Sequence, residues 1–208
     1  MKVFGVGMHK TGTKTLGVCL RHLGYKHTSF SLELLKQVKS GDFTGVFLTA
    51  EEYDSFEDWP WPLIYKQLDE RYPDSKSILT IRRDSRTWIN SLLKHAERTG
   101  PTEARELVYG YAMPHGYKDE HIAIYEAHNR EVIEYFKGQP DKLLVVCWET
   151  GSGWKELCSF LNKDIPDTSF PHANRAPKIN WRHWRNELKR FFGFGIPERQ
   201  TALRDLVE

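Results

Sequence analysis

The stretch from Lys2 to Leu16 constrains the fold more than any other part of the chain. A short apolar run, Val3-Phe4-Gly5-Val6, meets a Gly/Lys/Thr-rich segment, and a helical pattern starts at once. That order reads as strand, phosphate-cradling loop, helix. A helix N-terminus leaves backbone N–H groups unpaired and carries a partial positive charge. Gly12 lets the backbone approach an anion closely. Thr11, Thr13 and Thr15 offer hydroxyls, and Lys10 and Lys14 add full charges. Leu16, Cys19, Leu20 and Leu23 follow at helical spacing, with Gly24 placed to end the helix. The loop therefore points to a nucleotide or a related phosphate ester.

Spacing separates the possible donors. The nucleoside-triphosphate loop is G-x-x-x-x-G-K-[ST]. Gly7 and Gly12 have the right separation, but Thr13 stands where the lysine belongs and Lys14 comes one residue late. A P-loop nucleotide or small-molecule kinase is disfavoured on that count and stays open as the rival reading. The pattern Lys10-Thr11-Gly12-Thr13-Lys14-Thr15 instead resembles the 5′-phosphosulfate loop of the sulfotransferases, with Lys14 in place of a common small hydroxyl residue.

A second segment strengthens the resemblance. Ile78-Leu79-Thr80-Ile81 reads as a buried strand, Arg82-Arg83-Asp84-Ser85-Arg86 follows at its end, and a helix begins near Ser85. Ser91 lies eight residues after Arg83, on a face that an arginine at the strand end shares. Arginine and serine converging this way suit a phosphate monoester. The segment is similar to the 3′-phosphate motif of sulfotransferases, which implies Arg83 and Ser91 as ligands of the 3′-phosphate, with Arg82 the competing arginine. Trp59-Pro60-Trp61-Pro62-Leu63, Leu68 to Pro73, Trp154 to Leu161, and Phe170 to Arg175 look like a short bacterial-type branch, so the resemblance runs from about residue 2 to 178.

The resemblance implies a P-loop-NTPase-like fold: a parallel sheet flanked by helices in three α/β/α layers. It implies a sulfuryl donor, 3′-phosphoadenosine-5′-phosphosulfate (PAPS), as co-substrate, no metal, and a hydroxyl or amine acceptor of small-molecule or carbohydrate type. Lys10 takes the bridging oxygen of the leaving phosphate, and Thr11, Gly12, Thr13, Lys14 and Thr15 hold the 5′-phosphate. A histidine or carboxylate serves as base. Asp58 is the first choice, in a Pro/Trp-framed turn; Glu57, Asp54 and His115 are alternatives. His9 is placed to touch substrate or to pack. His172 and Arg175 are placed to reach the nucleotide from the C-terminal loop. A non-catalytic protein that keeps the fold and the nucleotide is a third reading.

The remaining chain agrees with an α/β domain. Leu143 to Trp148 reads as a third strand. Helices are expected near Leu32–Val38, Leu63–Tyr72, Glu103–Met113, Asp119–Phe136, Trp154–Leu161 and Asn180–Phe192, and Asp54–Pro62 is expected as a turn. The Trp/Phe-rich last helix reads as core, with packing on a second copy, a homodimer, the alternative. Phe43–Pro62 and Gly100–Asp119 are the expected acceptor loops. The 208 residues read as one domain over 1–208, with a terminal helix and tail from about 180.

A formal net charge of +2 argues against generalised nucleic-acid binding. Cys19, Cys147 and Cys158 lack paired spacing and read as core thiols rather than zinc ligands. No signal peptide or membrane span is evident, so a cytoplasmic protein is expected.

Overall fold

The computed structural model describes residues 1–171. Arg175, His172 and the predicted helix and tail from about 180 lie outside the described residues. Five parallel strands form one sheet: β1 (Val3–Gly5), β2 (His27–Thr28), β3 (Ser55–Phe56), β4 (Lys76–Thr80) and β5 (Leu143–Val146). Their order is β2-β3-β1-β4-β5. β1 is central, paired with β3 on one side and β4 on the other.

Alternation along the strands builds the layers. Val3, Ile78, Leu144 and Val146 enter a core on one face, packed by Leu16, Cys19 and Leu20 of α1 (Thr13–His22) and Trp154, Leu157 and Leu161 of α8 (Trp154–Leu161). Phe4, Phe56, Leu79 and Leu143 enter the core on the other face. There they meet α3 (Thr44–Glu52), α4 (Tyr65–Arg71) and α7 (Lys118–Tyr135) through Val46, Leu68 and Val132. Side chains one residue apart on a strand point to opposite faces, so one short apolar run serves both cores. The three-layer α/β/α fold expected from the sequence is the observed one. A third cluster joins α2 (Leu32–Lys39), α5 (Ser85–Thr99) and α6 (Glu103–Tyr109) to α7 through Leu35, Trp88, Ala104 and Tyr125.

Two strands and one helix were not legible in the sequence. β2 and β3 are two residues each, too short for any periodicity to register. The segment Asp54–Pro62, expected as a turn throughout, therefore starts as strand β3 and turns only after Glu57. Helix α3 buries only Val46 and Ala50, one turn apart, so it carries no sustained apolar stripe. It also occupies half of the segment expected to be an acceptor loop.

Candidate active site

The strand order explains why distant residues meet. In a parallel sheet all carboxyl ends lie on one edge, and ligands bind in the crevice beyond them. The loop after β1 is flanked by the ends of β3 and β4. A cavity of about 790 Å³ opens at this edge. Every strand contributes to its wall: Lys10 after β1, Ser29 after β2, Asp58 after β3, Arg82 after β4 and Trp148 after β5. Ser91, His95 and Arg98 of α5, and Arg105 of α6, complete it.

The floor is the N-terminus of α1. Gly12 is its N-cap, with φ 96°, and no side chain caps the helix. The first turn contains no acidic residue. Uncapped N–H groups and the helix dipole thus face the cavity beside Lys10 and Lys14, which suits an anion. Trp148 closes over this turn, its Nε1 donating to the Gly12 carbonyl at 3.2 Å. A Cβ on Gly12 would fall 2.4 Å from Trp148 Cδ1, so glycine is required both by φ and by space.

The rest of the loop is held from behind. Thr11 is buried, and its hydroxyl donates to the Met8 carbonyl and pairs with Thr80 Oγ1, both at 2.6 Å. That hydroxyl is engaged in shaping the loop; Thr11 does not line the cavity, whereas Thr13, Lys14 and Thr15 do. Trp88, fully buried and stacked on Tyr125 at 4.3 Å, donates to the His9 carbonyl at 3.0 Å. His9 is buried against Trp59, with ring centroids 4.2 Å apart. Burial, then the nearby His95, Lys10 and Arg105, holds its pKa well below the ordinary range, so it is neutral.

Lys10 and Asp58 share an unusual feature. Each has positive φ, 68° and 65°, although neither is glycine. Such backbone costs about 1–3 kcal/mol and persists only where the surroundings enforce it. Burial, then Arg98, Arg82 and Lys14, lowers the Lys10 pKa, while Asp58 acts in the opposite sense. Burial, then Glu57, raises Asp58 to about 6, with Lys14 and Lys10 opposing. The Asp58 carboxylate also accepts from the Trp59 N–H at 2.8 Å. Its neighbour Glu57 differs. Burial alone would raise it, but the nearby His27, Ser29 and Thr13 side chains bring it below the ordinary value. Ser29 Oγ donates to Glu57 at 2.5 Å, and His27 Nε2 lies 3.8 Å away. Two adjacent carboxyls are thus pushed apart: Glu57 is a fixed anion inside the wall, and Asp58 is a titratable group on it.

The second segment is only partly brought in. Ser91 lines the cavity; Arg83 does not. The Arg83 side chain is about one-third exposed, donating from Nε to Thr87 Oγ1 at 3.0 Å and pairing with Asp84 at 3.5 Å. Thr87 and Ser91 are four residues apart on α5 and share one side of it, and Arg83, just before the Asp84 N-cap, reaches that side through its bond to Thr87. Arg82 does line the cavity, and Glu149 neutralises it at 2.8 Å. The same carboxylate accepts from the Arg83 N–H at 3.2 Å, tying the ends of β4 and β5 together.

His115 is not brought to the site. It sits on the surface, 3.5 Å from Glu97, and is absent from the cavity wall. Asp54 is likewise outside, accepting from the Lys26 N–H. The sequence reading missed Ser29, His95, Arg98, Arg105, Trp148 and Glu149. Trp148 and Glu149 carried one usable signal, their place just after a strand. Among the described residues no group of three or more His, Cys, Asp or Glu could hold a metal ion, and no helix is long and apolar enough to cross a membrane.

The profile of the sulfotransferase domain matches residues 2–112 and 102–179. The chain is also similar to Ava biosynthesis cluster protein M of Aspergillus versicolor, 24% identical over 242 aligned positions that cover 91% of this chain and 90% of that protein.

Proposed function

Because the chain belongs to the sulfotransferase family, we propose that it transfers a sulfuryl group from PAPS to a hydroxyl or amine of a small acceptor. One observation carries the reading. An uncapped helix N-terminus, two lysines and a carboxyl titrating near neutrality share one cavity wall. Chemistry of this kind is mainly in-line positioning and stabilisation of charge on the leaving phosphate.

In this reading the α1 N-terminus, with Thr13, Lys14 and Thr15, binds the 5′-phosphate. Asp58 takes the acceptor proton as the acceptor oxygen or nitrogen forms its bond to sulfur. The bond from sulfur to the bridging phosphate oxygen breaks, and Lys10 stabilises the charge left on that oxygen. A base with a pKa of about 6 is well matched to this task near neutral pH. Arg83 and Ser91 hold the 3′-phosphate. Arg82 is already neutralised by Glu149, whereas the exposed Arg83–Asp84 pair is weak enough to exchange for a phosphate. No metal enters the scheme.

The test is transfer of label from ³⁵S-PAPS to a panel of phenols, alcohols and amines, with adenosine 3′,5′-bisphosphate release measured alongside. Acceptor-dependent release, strongly reduced in Lys10→Ala, is expected. Magnesium-dependent phosphoryl transfer from ATP in its place would refute the reading.

A further inference from the structure

Arg105 is an unusual arginine. It lies on α6, 1% exposed, yet contributes to the cavity wall. Its Nε donates to Thr102 Oγ1 at 3.0 Å, and its Nη2 donates to the Gly100 carbonyl and to Thr99 Oγ1. These partners are neutral, and Nη1 is buried with none. Among the described residues neither Arg105 nor the neighbouring wall residue Arg98 forms an ion pair. Arg98 Nη2 donates to the His95 ring at 3.1 Å. Of the two acids closest in sequence, Glu106 is exposed and absent from the cavity wall, and Glu103, on the wall, is paired with Lys36 at 2.9 Å.

A buried charge without a counter-charge is costly, and nature seldom leaves one so unless a ligand completes it. The surroundings carry the same sign. Burial, then Lys10, Arg98, Arg105 and Lys14, lowers His95 to about 4, so this wall holds a surplus positive potential. Apolar and aromatic surfaces also line the cavity: Phe30, Leu32, Trp59 and the neutral His9. Phe30 is half exposed, an uncovered ring at the wall.

We propose that the acceptor is an aromatic hydroxy or amino compound bearing a carboxylate, received by the guanidinium of Arg105 with Arg98 beside it, its ring lying against Phe30 and Trp59. A planar guanidinium offers paired N–H donors that match a carboxylate. This inference rests on the sulfotransferase reading above, because it assigns the acceptor side of the same cavity. Arg105 would fix the acceptor's orientation without taking part in bond making.

The experiment compares matched acceptors on the full chain. The protein is first saturated with adenosine 3′,5′-bisphosphate, then titrated with 4-hydroxyphenylacetate and, separately, 4-hydroxyphenylacetamide, following tryptophan fluorescence. The acid should bind at least about tenfold tighter than the amide, the size of one charge-assisted pair. Arg105→Gln should remove that preference while leaving bisphosphate affinity unchanged, and Arg98→Gln, at an exposed position, should reduce it if Arg105→Gln does not fold. With ³⁵S-PAPS, the acid's advantage should appear in KM more than in kcat. Equal binding of acid and amide by the unmodified protein overturns the inference, as does an acid preference that survives in folded Arg105→Gln. Loss of bisphosphate affinity in Arg105→Gln overturns it too, assigning that arginine to the donor. Failure of the bisphosphate to bind at all would instead strike the donor reading.

Discussion

Asp58→Asn should make the protein more stable and nearly inactive at the same time. The Asp58 carboxyl moves from an ordinary value of 3.8 to about 6, chiefly through burial and then through the adjacent Glu57. At about 1.36 kcal/mol per tenfold change in proton affinity, ionising it in the fold costs about 3 kcal/mol. The sign follows from proton binding. Between 3.8 and about 6 the folded protein holds a proton that the unfolded chain releases, so stability falls as pH rises through that window. Asparagine keeps the acceptor for the Trp59 N–H and carries no charge. The gain should therefore be close to zero near pH 4 and reach about 1.5–3 kcal/mol above pH 7, the lower figure allowing for solvent at the partly exposed edge. Urea unfolding at pH 4.5 and pH 8 measures it directly. Loss of the base should lower kcat by about 10²–10⁴ and remove the acidic limb of the pH–rate profile near 6. A stabilisation over the unmodified protein no larger at pH 8 than at pH 4.5, or a variant that keeps the acidic limb, would refute the reasoning.

Other expectations follow from the same geometry. Gly12→Ala puts a Cβ on a residue with φ 96° and 2.4 Å from the Trp148 ring, so calorimetry should show bisphosphate affinity reduced at least about tenfold. Lys10→Ala should lower kcat by about 10²-fold or more while changing product affinity less, as steady-state kinetics with product titration will show. Trp88→Phe removes the hydrogen bond to the His9 carbonyl, and a loss of about 1–2 kcal/mol in chemical unfolding is expected.

Local chemistry was legible in the sequence. Lys10, Gly12 and Lys14 announced an anion-binding turn, because that motif is written in adjacent residues, and the short apolar runs Ile78 to Ile81 and Leu143 to Val146 announced a buried parallel sheet. What escaped depends on contacts distant in sequence. Thr11 looked like a phosphate ligand, but Thr80, which engages its hydroxyl, arrives from another strand. His115 looked like a base, yet its loop leads it to Glu97 at the end of α5. Arg98 and Arg105 carried no motif at all. Only the turn between α5 and α6 brings both to the cavity, and only the missing acidic partners make them notable.

The central claim is that this cavity reads a nucleotide carrying phosphates at both the 5′ and 3′ positions. Titration calorimetry of adenosine 3′,5′-bisphosphate against AMP, on the unmodified protein and on Arg83→Ala, tests it most directly. The account predicts the bisphosphate at least about tenfold tighter than AMP, and a loss of about 1.5–3 kcal/mol in Arg83→Ala that AMP does not share. Equal affinity for the two nucleotides, or tighter binding of magnesium–ATP than of either, would contradict it.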